Sequence, residues 1–174
     1  MDALQILIEV AKQLESSGIK LVIALAMMFG MGGAVLTLVS QTQRVRTGRS
    51  ASAYKCIAAI CLGGALISIK SMMNMAAHTL SFGDVSFDAI SYAPDSLGEA
   101  ADAINAVLTL LRWVGACFFL MGILRARRSM VDGHTGLSAR EDVGTGVTMC
   151  IVGILLICNP EFLDALQNTF HLSW

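Results

Sequence analysis

Few residues in this sequence have types and spacings that could do chemistry. His78, His134 and His171 stand in three separate connecting or terminal segments, and Cys56, Cys61, Cys117, Cys150 and Cys158 lie in apolar stretches without CxxC spacing. A bound metal needs ligands that converge at characteristic intervals, and none do here. Thiols in apolar surroundings behave as small hydrophobes and stay inert. Gly30-Met31-Gly32-Gly33 sits inside an apolar run, not at a strand-to-helix turn, so it is no phosphate loop. There is no GxSxG elbow, no HExxH pair and no Ser/His/Asp set. The expectation is a protein that is not an enzyme and carries no metal or cofactor, bound phospholipid being the one candidate ligand.

Two cations do call for a physical account, because Lys70 and Arg112 fall inside apolar runs. A charge at the centre of a bilayer costs at least ~2.5–3.5 kcal/mol, so it snorkels, pairs or works. Snorkelling to the headgroups is one reading. Another is pairing at similar height, for example Arg112 with Glu161 or Asp164, or with lipid phosphate. Proton relay is disfavoured, since no Asp or Glu stands mid-run beside them.

The elements that would position these residues follow from composition. Hydrophobic residues make up 55% of the chain and charged residues 14%, with a mean hydropathy of +0.68. Soluble domains average about 25% charged residues, so this reads as a membrane protein. Apolar runs at about 19–40, 56–77, 106–124 and 143–158 are close to the roughly 17–25 residues that cross a bilayer as a helix. The predicted fold is all-α, an integral membrane four-helix protein of two helical hairpins (18–174) preceded by an amphipathic N-terminal helix (1–17). In that first helix Leu4, Leu7, Ile8, Ala11 and Leu14 recur at helical spacing between Asp2, Gln5, Glu9, Lys12 and Gln13. It would lie in the membrane interface, pack on a neighbouring subunit, or be an ordinary surface helix. Its acidic start does not resemble a secretory signal, and Gly18 is expected to break it.

Small residues mark the spans. Ala26, Gly30 and Ala34 recur every four residues with Gly33 adjacent, and Gly63, Gly64, Gly115, Gly122 and Gly153 punctuate the later runs. Lipid gives helices no hydrophobic reason to meet, so close approach through small residues is how they associate. Homo-oligomers built through these faces are the expectation. The methionines Met27, Met28 and Met31 read as lipid-facing or packing residues, not as a metal site. The two halves also parallel each other weakly, Gly33-Ala34 with Gly115-Ala116 and Gly64-Ala65 with Gly153-Ile154, as a duplicated hairpin would.

The net charge of −1 conceals a segregation of sign. Arg44, Arg46, Arg49 and Lys55 fill one turn, and Arg125, Arg127, Arg128 and Arg140 cluster in another. Between them His78 to Asn105 has no Lys or Arg, but holds Asp84, Asp88, Asp95, Glu99 and Asp102. Basic flanks of short loops stay in the cytoplasm. Both basic turns are therefore expected on the cytoplasmic side, with the acidic loop and both termini on the far side. Helical spacing from Leu97 onward predicts that the third helix starts outside the bilayer.

The order Leu111-Arg112-Trp113-Val114-Gly115, Phe118-Phe119-Leu120-Met121-Gly122, Gly144-Thr145-Gly146, Val152-Gly153-Ile154-Leu155, Asn159 and Phe162-Leu163-Asp164-Ala165-Leu166 resembles the IcmC/DotE group of small membrane proteins. Gly64-Ala65-Leu66 and Ala76-Ala77-His78-Thr79-Leu80-Ser81-Phe82-Gly83 resemble its second span and following loop. Those proteins serve Dot/Icm-type (type IVB) secretion systems and IncI-type conjugative transfer. Pro160 departs from the pattern and should end or kink the last helix. The resemblance implies a non-enzymatic structural subunit of a conjugative or type IVB apparatus, needed for DNA or effector transfer. Its partners would be membrane lipid, copies of itself and other secretion or conjugation subunits. The alternative is a pilin-like subunit that polymerises into an extracellular conjugative pilus trapping phospholipid, its basic turns meeting headgroups or, indirectly through a lumen, nucleic acid. A small-solute channel or transporter is a distant third reading, with no binding constellation to support it.

Overall fold

The computed structural model describes residues 3–48, 50–88, 90–94, 98–132 and 136–171, without the side chains of residues 3, 4, 15, 16, 132 and 136–140. Arg49, Asp95, Leu97, His134 and Trp174, and the side chains of Leu4, Glu15, Asp132 and Arg140, lie outside what is described. Among the described residues there are seven α-helices and no strand. They are α1 (Ala3–Gln13), α2 (Ile19–Arg46), α3 (Ala53–Ile67), α4 (Ile69–Thr79), α5 (Glu99–Asp132), α6 (Gly136–Ile157) and α7 (Asn159–Phe170).

Gly18 does not break the first helix as expected. A single π turn, Leu14–Gly18, carries α1 into α2 with Gly18 itself in helical conformation (φ −66°, ψ −45°). The glycine serves packing instead. A Cβ there would lie 2.6 Å from the Trp113 indole nitrogen, so the missing side chain is the seat of a ring from α5. α1 accordingly packs on α5 of its own chain, with Ala11 buried and Gln5, Glu9 and Lys12 exposed.

α2, with 28 residues, and α5, with 34, are about 42 Å and 51 Å long at 1.5 Å per residue. Both are long and apolar enough to cross a membrane. α5 overruns the expected 106–124 at both ends. It opens with Glu99 and Asp102 in its first turn, where carboxylates suit the helix dipole.

The other two expected spans are not straight. The 56–77 run is divided at Ser68, where α3 and α4 meet at 86°, and α6 gives way to α7 at Cys158 through 83°. The described residues thus include two helices long and apolar enough to cross a membrane, or up to four if each bent pair is one span. Pro160 accounts for the second break, because it has no N–H for the Leu156 carbonyl and its ring collides with that turn. No proline marks the first. Turning at Ser68 lets Ile69, Met73 and Ala77 of α4 face the core while Lys70 and His78 stay exposed.

One apolar core gathers at the level of these breaks. Val22 and Ala26 of α2, Leu66 of α3, Ile69 and Met73 of α4, Phe119, Leu120 and Ile123 of α5, and Ile154 and Ile157 of α6 pack together. α2 and α5 run parallel, since Gly18 meets Trp113 and Gly33 meets Arg127. The last buried patch joins Ala58 and Ala59 of α3 to Val131 near the end of α5.

Candidate functional site: glycine seams and a buried arginine

Three glycine pairs close the hairpins at backbone contact. A Cβ on Gly30 would stand 2.8 Å from the Gly63 carbonyl oxygen, and one on Gly63 3.0 Å from that of Gly30. In the second hairpin the same reciprocal contact joins Gly115 and Gly153 at 2.7 and 2.8 Å, and Gly122 and Gly146 at 2.7 and 2.9 Å. Such approach leaves room for Cα–H···O contacts between helices and for nothing larger than hydrogen at these positions.

The two seams share one register. Gly30 touches Leu66 Cβ, three residues beyond Gly63, while Gly115 touches Leu156 Cβ, three beyond Gly153. Ala34, four past Gly30, faces Gly63; Phe119, four past Gly115, faces Gly153. Each helix then breaks five residues on, at Ser68 and at Cys158. A long helix followed by a bent pair occurs twice, with the two long helices parallel. The alignment shifts, with Gly30 and Gly63, not Gly33 and Gly64, matching Gly115 and Gly153.

The small residues therefore do their work inside the chain. Ala26, Gly30, Gly63, Gly115, Gly122 and Gly153 are buried between its own helices. Gly64 and Gly32 face open space, and Gly33 carries the Arg127 guanidinium against its bare Cα. Gly146 joins the seam although its spacing alone did not mark it as a packing position.

Arg112 is buried, at 6% exposure, and does not snorkel. Its Nε donates to the Ile157 carbonyl oxygen at 3.3 Å, and its Nη1 to that of Asp88 at 2.8 Å. Ile157 closes α6, where the last carbonyls lack intrahelical donors and the dipole is negative, so a cation suits both needs. Neither Glu161 nor Asp164 forms a salt bridge with it. Both are exposed on α7, and the salt bridges among the described residues are His78–Asp84 and Arg125–Asp142, each at 2.9 Å. Beside Arg112, Asn159 Nδ2 donates to the Leu108 carbonyl at 2.7 Å, while its buried Oδ1 has no hydrogen-bond partner.

The acidic connection is pinned to the bundle by three side chains. Asn74 Oδ1 accepts from the Val85 N–H at 3.2 Å, and Asn105 Oδ1 from the N–H groups of Tyr92 and Ala93 at 3.0 and 3.1 Å. Arg112 supplies the third tie through Asp88. Phe82 stands edge-on to Phe162 at 6.3 Å, linking the start of this connection to α7. Asn74 and Asn105 were not singled out in the sequence, although an asparagine in an apolar helix is the available signal.

Lys70 is exposed in the first turn of α4. At the opposite end Arg44, Arg46, Arg125 and Arg128 are exposed, while Lys55 and Arg127 are half-buried. Arg44, Lys55 and Arg127 line one cleft of about 510 Å³ between α2, α3 and α5. The chain matches no family model, no curated protein and no solved structure.

Proposed function

We propose that this chain is an integral membrane protein of four spans, a non-catalytic structural subunit of a conjugative or type IVB secretion apparatus in a bacterial inner membrane. The observation that carries the membrane arrangement is the repeated hairpin: two apolar helix pairs closed at backbone contact in one register, with cations at one end and a tied-down acidic connection at the other. The assignment to secretion or conjugation rests on the resemblance to the IcmC/DotE group alone. Basic turns inside, with both termini and the acidic connection in the periplasm, follow from the charge segregation. In this arrangement α4 and α7 turn across the bundle at the periplasmic face, which carries Lys70, Glu161 and Asp164 toward water.

Association with copies of itself and with other subunits falls to a different surface from the glycines. Met31, Val35 and Val39 form an exposed apolar face on α2. The extent of that face also favours a pilin-like reading, in which copies stack through it into a filament. Deleting the gene and scoring plasmid or effector transfer tests the role; transfer at the parental level refutes it. Cysteines introduced at 41–48 and 82–94 test the arrangement, with labelling of the second set alone expected from outside intact cells. A filament role requires this chain to be the major protein of sheared surface filaments.

A further inference from the structure

Among the described residues, the lining of the cleft between α2, α3 and α5 holds three cations and no carboxylate. Arg44, Lys55 and Arg127 line it, and Met28, Phe29 and Leu36 make its other end apolar. Arg127 is the informative member. Its guanidinium lies against Gly33, within the apolar stretch of α2 and about 10 Å short of Ser40 along the helix. Its Nε is buried and has no hydrogen-bond partner. A buried charged donor left unmade is costly, and a cation below headgroup level is doubly so. Polar groups at one end and hydrocarbon at the other match the two ends of an amphiphile.

We propose that this cleft binds the phosphate of an anionic phospholipid from the basic-loop leaflet. The guanidinium of Arg127 takes the phosphate oxygens in its fork, Arg44 and Lys55 add charge above it, and an acyl chain lies along Met28, Phe29 and Leu36. Gly33 is the positioning residue, because any side chain there would displace the guanidinium. The phosphate chemistry is shared with free phosphate, but the apolar end of the cleft has no use for a soluble ion. The site rests on the reading that the chain spans a bilayer.

The test uses the full chain reconstituted with equimolar phosphatidylglycerol and phosphatidylcholine, re-extracted and weighed by native mass spectrometry. Phosphatidylglycerol adducts are expected to exceed phosphatidylcholine adducts about tenfold. Arg127→Gln and Gly33→Ala should bring the ratio close to one, whereas Gly64→Ala, which meets nothing and lies off the cleft, should leave it unchanged. Should Arg127→Gln fail to fold, the exposed Arg44→Gln and half-buried Lys55→Gln pair carries the same expectation. Equal retention of the two lipids by the parental chain overturns the site, as does a ratio indifferent to these substitutions. Displacement of the lipid preference by millimolar inorganic phosphate alone would assign the cleft to a soluble anion and overturn it too. Carbonate extraction of the parental membranes separates the two readings. A chain that resists carbonate but shows no lipid preference sinks the site alone, and one that washes off sinks the membrane reading as well.

Discussion

Neighbouring glycines in this chain should respond to alanine with opposite signs. Adding a methyl at Gly115 places a carbon 2.7 Å from the Gly153 carbonyl oxygen, 2.8 Å from Leu156 Cβ and 2.9 Å from the Ile157 nitrogen. Two of those three atoms are backbone and cannot rotate away. Non-bonded carbon prefers about 3.5–4.0 Å, so α5 and α6 must part by nearly 1 Å along the seam. Overpacking of this kind costs about 1–3 kcal/mol, whereas replacing an interior helical glycine by alanine returns about 1 kcal/mol in propensity. With two unyielding backbone atoms inside 3.0 Å the cost falls in the upper part of that range, so Gly115→Ala should be destabilising by about 1–2 kcal/mol net. Gly63→Ala should behave alike, its Cβ lying 3.0 Å from the Gly30 oxygen. Gly64→Ala, one residue on and facing open space, should be stabilising by up to about 1 kcal/mol. Thermal unfolding in detergent micelles would show a fall of about 2–6 °C for Gly63→Ala and Gly115→Ala and a small rise for Gly64→Ala. Equal shifts for Gly63→Ala and Gly64→Ala would refute the seam, since helix propensity alone treats them identically.

Three further substitutions probe the remaining contacts. Arg112→Leu leaves the Ile157 and Asp88 carbonyls without this donor and should cost about 3 kcal/mol, read as new proteolytic cleavage within 82–94; an unchanged cleavage pattern would contradict the tie. Asn105→Ala should speed hydrogen exchange at Tyr92 and Ala93 by about tenfold or more, and Asn105→Asp, which keeps an acceptor, by less. Gly18→Ala should displace Trp113 and shift its emission at a cost of about 1–3 kcal/mol, so an unaltered spectrum would place the indole elsewhere.

Apolar length and sign of charge made the long helices readable in advance. Runs such as Ile19–Ser40 admit little else, and the acid-rich start of α5 was visible in Glu99 and Asp102. Pro160 likewise announced the break before α7. The break at Ser68 had no such marker, because it depends on which face of 69–79 finds a core, and that is settled by residues distant in sequence. The roles of the glycines were legible in kind but not in partner: spacing shows that a helix can approach another closely, not whether that other belongs to the same chain. Arg112 was conspicuous as a charge in a greasy stretch, yet two of its acceptors are main-chain oxygens. A sequence carries no mark on a carbonyl that a helix end has left free, so a search for an acid partner pointed to Glu161 and Asp164 instead. Arg127 was read as part of a basic turn, and its seat on Gly33 needed the pairing of α2 with α5.

The contact between Arg112 and Ile157 spans 45 residues, which orders events during synthesis. When α5 leaves the ribosome its guanidinium precedes by a whole hairpin the carbonyl that will receive it. In the four-span arrangement proposed above, α5 released into lipid before α6 would keep the Asp88 tie of Arg112 but lack the Ile157 carbonyl. That arrangement favours entry of α5 and α6 into the bilayer as one object. Truncations that stop between the two should be rejected from the bilayer and cleared by membrane proteases, while those ending after Phe170 should persist.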